Sequence, residues 1–285
     1  DAQPLEVKVN NIESGYIDNT GNQNTGWGYQ TLSANTVGVN NAAFGYGALS
    51  SNTAAKNNTA IGDGALQTMS YNNGGTAWNA DHTAVGYTAL HSNQPTSNRT
   101  GLDNTAVGSA AMQSNTTGYA NTAVGYQAMR SNTTGINTTA MGYQAMANNT
   151  TGGGTAIGFW ALTSNTTGTH NVAMGVDALQ HNTNGGTNVA LGDFALLSNT
   201  SAGNNTGVGY QAMYTNTTGH DNIGIGVGAL YNNATGNYNT AVGVSALYNN
   251  TSATFNTAVG YTALKNDTSG SYNTAMGWDA MAATS

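Results

Sequence analysis

The 285-residue chain carries only 6% charged side chains, a net charge of −7, 39 Gly, 2 Pro and no Cys. Five Lys and Arg in all argue against nucleic-acid binding and a polybasic membrane anchor, and the lack of Cys removes disulfides and thiolate metal sites. No run of about 18 apolar residues reads as a membrane span, and apolar residues returning on a fixed beat speak against simple disorder.

Residues 1–21 stand outside the beat. Leu5, Val7 and Val9 alternate with polar residues, which predicts a short strand. The segment reads as an entry or cap, because an open solenoid end exposes strand edges.

From residue 22 to 285 the chain repeats a phrase, clearest at Asn121 to Ile136: N-T-A-V-G-Y-Q-A-M-R-S-N-T-T-G-I. Fifteen glycines anchor it, from Gly28 to Gly277, and eleven of the fourteen spacings are 17 residues. Such a period, rich in Gly, Asn and β-branched residues, predicts one coil of an all-β parallel β-solenoid (a β-roll) per copy.

Counted from that glycine, position −1 is large and apolar (Trp27, Phe44, Ile61, Val124, Met276). Position −2 is always Ala or Gly, and −3 is β-branched in all copies but one, which has Ala42. Position +3 is Ala except at Thr31, and +4 is Leu or Met throughout. The T-A-V stretch is expected as a strand with Thr and Val facing the coil interior beside the +4 column. The small −2 column then faces outward, toward either a neighbouring chain or nothing more than a thin coil's own surface. On the first alternative, Ala43, Ala60, Ala84, Ala106, Ala123, Ala140, Ala156, Ala173, Ala190, Ala241, Ala258 and Ala275 form the packing surface of an intertwined or side-by-side homotrimer. The S-N-T-T-G half is turn chemistry, and Asn115, Asn132, Asn149, Asn165 and Asn182 are placed to form side-chain ladders.

Two neighbouring copies are longer, through residues 67–83 and 91–104. Falling at the same turn of adjacent coils, they are expected to emerge side by side and to offer Tyr71, Trp78, His82, His91 and Arg99 as contact residues. The alternative is a pair of surface loops without a partner. The last coil stops at Ala282-Ala283-Thr284-Ser285 with no evident capping element.

No catalytic constellation stands out. The five His are scattered through turns, the Asp residues do not pair into a site, and the calcium-binding nonapeptide G-G-x-G-x-D is absent. No cofactor or metal is expected, and the reading is not that of an enzyme. The Tyr column at +1 (Tyr29, Tyr46, Tyr87, Tyr126 and others) reads as packing or as a stacking surface for sugars.

The phrase N-T-A-V-G-Y-Q-A-M resembles the head repeats of trimeric autotransporter adhesins of the YadA type, over about residues 22–281. Matching their A-I-G to Ala123-Val124-Gly125 implies a trimeric β-roll with Thr122 inward and Ala123 toward neighbouring chains. The longer string ending S-N-T-T-G is similar to arrays in bacteriophage tail fibres. Those are often trimerised by a self-cleaving C-terminal chaperone that cuts after a Ser, which Ser285 resembles. The resemblance implies a homotrimeric shaft in the virion tail or outside the cell. Its partners would be an upstream fibre or baseplate protein and a host-surface glycan or protein receptor, with neither nucleic acid nor membrane insertion. A bacterial surface adhesin is the alternative. An ice-binding solenoid would need an outward Thr array, which the expected facing denies.

Overall fold

The computed structural model describes residues 5–9, 12–18 and 21–283, in two compact units that meet in sequence at Met141/Gly142. Each is a parallel β-solenoid with one short strand per coil. Among the described residues there is no α-helix, only a single 3-10 turn at Asn73–Gly75.

In the first unit, strand β1 (Leu5–Val9) pairs antiparallel with β2 (Ile12–Ile17), and β2 pairs antiparallel with β3 (Thr25–Trp27), the first strand of the repeat. This hairpin occupies the edge of the first coil that would otherwise lie open. Trp27 packs over Gly15, where a Cβ would lie 2.8 Å from the indole. From β3 on, pairing is parallel and in register, with like columns side by side: Thr122 lies against Thr105, Ala123 against Ala106 and Val124 against Val107. The second unit runs the same way, from strand Gly154–Ile157 to strand Thr274–Met276.

The anchor glycines turn the chain out of each strand with φ between +123° and +141°, a region effectively closed to side-chain-bearing residues. They also touch the next coil. A Cβ on Gly192 would lie 2.6 Å from the carbonyl oxygen of Gly209, and one on Gly108 would lie 2.4 Å from that of Gly125. Both backbone angle and space therefore demand glycine. The buried Leu/Met column four residues on is left-handed as well, with φ of +48° to +55°. Such a residue costs about 1–2 kcal/mol in isolation, which burial and the Leu66 N–H bond to the Ala89 carbonyl (3.0 Å) help to offset.

The strands face the opposite way from the sequence expectation. Ala43, Ala60, Ala84, Ala106, Ala123, Ala140, Ala156, Ala173, Ala190, Ala241 and Ala258 are fully buried within the single chain, and Ala275 is nearly so. A Cβ on Gly207, in the same column, would point at Leu196 of the coil interior. Thr122 and Val124 flank the strand half-exposed, and Trp27, Phe44, Ile61, Met141 and Met174 are exposed. The small column is therefore core, not a trimer-packing surface. The reason is room: a coil this thin holds Ala at −2 and +3 around one Leu or Met, and nothing larger.

Amides fill the rest of the interior. Buried Asn side chains at +7 donate Nδ2 to the Oδ1 of the preceding coil: Asn132 to Asn115 (2.8 Å) in the first unit, Asn165 to Asn149 (3.0 Å) and Asn182 to Asn165 (2.9 Å) in the second. A second row at −4 supports the strands. Asn121 Oδ1 accepts from the Thr138 N–H (3.0 Å), while Asn121 Nδ2 donates to the Gly135 carbonyl (2.8 Å).

At Asp267 the +7 row carries a buried carboxylate, whose side chain has no N–H to give. Its carboxylate accepts from the Gly270 N–H (2.7 Å) and Asn273 Nδ2 (2.9 Å), leaving Asn250 Oδ1 buried without a partner.

Two outcomes test this account. Gly192→Ala should destabilise the second unit by about 3 kcal/mol or more, read from the urea midpoint, since it combines a strained backbone with a backbone clash. Asp267→Asn should raise stability by about 1 kcal/mol in the same measurement by giving Asn250 Oδ1 its donor.

Candidate functional site

The two long turns leave the first unit at one corner and bind each other. Thr68 donates from both N–H (3.1 Å) and Oγ1 (2.8 Å) to the His91 carbonyl, and Gln94 Nε2 donates to the Thr68 carbonyl (2.6 Å). His91 Nε2 lies 2.9 Å from Gln67 Oε1.

The first turn folds back on its own chain. Asn72 caps the Asn73–Gly75 turn by accepting from the Gly75 N–H, and the chain then forms strand Trp78–Asn79, parallel to Ala55–Lys56. Trp78 is 4% exposed. Its Nε1 donates to the Tyr71 carbonyl (3.1 Å), and its ring meets Tyr71 edge-on at 5.5 Å. Trp78 is thus the small core of this turn rather than a displayed contact.

His82 is buried too, at 1% exposure. It stands four residues before Gly86, where twelve of the fifteen copies have Asn, and it takes the amide's place in the second row. Its N–H donates to Asn58 Oδ1 (3.2 Å), and its Nδ1 accepts from the Asn104 N–H (3.2 Å), as an Asn Oδ1 does elsewhere. Nε2 lies 2.9 Å from the Asn93 side-chain amide. Burial lowers its pKa to about 4, only partly opposed by the backbone of Asn104 and the charge of Asp81. A proton added at Nδ1 would also face the N–H of Asn104.

The second turn is tied by hydroxyls. Thr100 Oγ1 accepts from the N–H groups of Thr96 (3.1 Å) and Ser97 (3.2 Å), and Ser97 Oγ accepts from the Arg99 N–H (3.3 Å). Pro95 is buried beneath this knot, and the Arg99 side chain stands exposed. Of the five residues expected at the corner, the structure therefore offers Arg99 fully, Tyr71 and His91 in part, and withdraws Trp78 and His82 into the fold.

Two aromatic columns of the second unit stack on themselves. Tyr214, Tyr231 and Tyr248 stack with centroids 5.1 and 4.8 Å apart, and Tyr238, Phe255 and Tyr272 stack at 5.0 Å per step. In the +1 column stacking is partial: Tyr29 stacks on Tyr46 at 5.7 Å and Tyr143 on Phe159 at 5.0 Å, while Tyr87, Tyr210 and Tyr261 stand exposed. The Tyr231 hydroxyl is pushed up by burial and by the two Tyr neighbours it stacks on. Among the described residues no group of three His, Asp or Glu side chains is placed to hold a metal ion, and no helix is long and apolar enough to cross a membrane. Compared with protein-family models, curated proteins and solved structures, the chain finds no match.

His82 makes stability depend on pH. Between its folded pKa of about 4 and its ordinary 6.5, the unfolded chain takes up a proton that the folded chain refuses. The stabilisation is complete above pH 6.5 and fades as pH falls toward 4, by roughly 3 kcal/mol in all. Urea titrations at pH 7 and pH 4.5 should show the loss for the parent protein. In His82→Asn, which restores the residue usual in that row, most of the difference should vanish.

Proposed function

We propose that this chain is the shaft of an extracellular fibre of the phage tail-fibre kind, assembled as a homotrimer, with the long-turn corner facing a host-surface glycan or protein receptor. The observation that carries the reading is a contrast. Coil after coil presents the same columns, which can bear load and set length but cannot tell one partner from another, whereas one corner in the first unit breaks the repeat with a built and internally bonded surface. Arg99 is the group at that corner best able to pair with acidic or hydroxyl-bearing receptors. Repeated three times about a shaft, a weak contact gains through effective concentration. The fibre would join an upstream fibre or baseplate protein and work outside the cell.

Deleting the first long turn is a poor test, because strand Trp78–Asn79 covers the buried Ala54 and Ala55. A single substitution is cleaner. Arg99→Ala should leave the circular-dichroism spectrum and thermal midpoint unchanged while weakening attachment to bacterial cells about tenfold, on the order of 1.4 kcal/mol. Attachment equal to the parent's would remove the corner from the reading.

The outward turn of the Thr column favours one second reading. Thr83, Thr105, Thr122 and Thr139 form an unbroken row on the strand face of the first unit, as an ice-binding surface requires. The same face carries Trp27, Phe44 and Met141, whose bulk spoils its flatness. Thermal hysteresis in the purified protein would make ice the better choice.

A further inference from the structure

The strand face that turns away from the coil interior is apolar, and no described residue of the single chain covers it. In the second unit, Met174 and Ile225 at −1, with Tyr210, Val227, Val244 and Tyr261 at +1, are 39–52% exposed. Charge is nearly absent from these two columns, where Asp193 is the one ionisable carboxylate of the unit. A fully buried aromatic side chain covers roughly 150–250 Å², and an aliphatic one about the lower end of that range. Two-fifths of that, over about a dozen such side chains, comes to on the order of 800 Å² of largely apolar surface. The largest apolar patch on a typical monomer is about 300–600 Å². A stable interface buries about 800 Å² per partner. The face therefore has the area an interface needs and exceeds what a lone chain ordinarily leaves bare.

Its occupant follows from its regularity. The ridges recur once per coil, at the spacing of paired strands, about 4.8 Å. A partner lacking that axial repeat falls out of phase within a few coils, whereas a second copy of the same sheet stays in phase by construction. The scarcity of charge leaves a charged partner nothing to pair with. We infer that copies of this chain meet in parallel through the outward −3, −1 and +1 columns of the strand face, with the Ala column left inside each chain. The inference rests on the homotrimer of the proposed shaft and names the surface that makes it. Closed threefold symmetry requires the copies to run parallel.

Sedimentation of the whole chain at micromolar concentration tests this. The parent should run as a trimer. The double variant Ile225→Asp, Val244→Asp should run as a monomer with an unchanged circular-dichroism spectrum, since both side chains already face water in the single chain. The milder pair Ile225→Thr, Val244→Thr keeps β-branched residues on the strand face and should shift the trimer midpoint at least tenfold in concentration. A trimeric parent whose Thr and Asp variants assemble equally well overturns the face and leaves the shaft standing. A parent that stays monomeric overturns both. If the Asp pair fails to fold, the Thr pair decides. Because the chain has no Cys, Val244→Cys adds an independent readout: oxidation should cross-link like positions of two chains, and Thr251→Cys, on the far turn, should not. The reverse pattern would also overturn the face.

Discussion

The closeness of successive backbones at the anchor glycines governs the rest of the fold. With a carbonyl of the next coil 2.2–2.6 Å from where a Cβ would stand, there is no room at this corner for any side chain. The coil is narrow as well, its buried Ala columns flanking a single Leu or Met column. Narrowness limits the interior to two Ala columns, one Leu or Met column and two rows of Asn, and it sends the large apolar side chains at −1 and +1 to the outer face. The core is too thin to rely on hydrophobic burial alone, so amide rows that satisfy one another coil by coil share in holding it together.

Narrowness also explains which parts of the fold were legible in the sequence. The period of 17, the strand at T-A-V and the Asn ladder at Asn115, Asn132, Asn149, Asn165 and Asn182 follow from column regularity alone. The facing of the strand does not. A three-residue strand with apolar or small side chains throughout has two phases, and hydrophobicity does not choose between them. Size chooses. An always-small column beside a Leu/Met column marks the inside of a thin coil, because only Ala and Gly fit there. The same invariance fits a close contact between chains equally well.

The corner shows a similar division. That two long turns on adjacent coils lie together follows from their spacing. Whether a given side chain is displayed or absorbed depends on how each turn satisfies its own backbone. Trp78 is absorbed because the turn doubles back as a strand and needs a core of its own. His82 carried a visible signal: it falls in the −4 column, where Asn is the rule, so its position marks it as a member of a buried row before any contact is seen. Arg99 has no such column and remains outside.

The amide row of the second unit has a direction. From Asn165 to Asn250 each Nδ2 donates back to the Oδ1 of the preceding coil, so these side-chain dipoles add head to tail. At its forward end the Oδ1 of Asn250 closes the row as the negative end of the last dipole. The solenoid thus carries an internal electrostatic polarity that its surface charges do not reveal. A donor or a cation is favoured beside that Asn250 oxygen. Asp267, at +7 from Gly260 in the penultimate coil, instead sets a carboxylate there, so the axial order of the row is broken at this step.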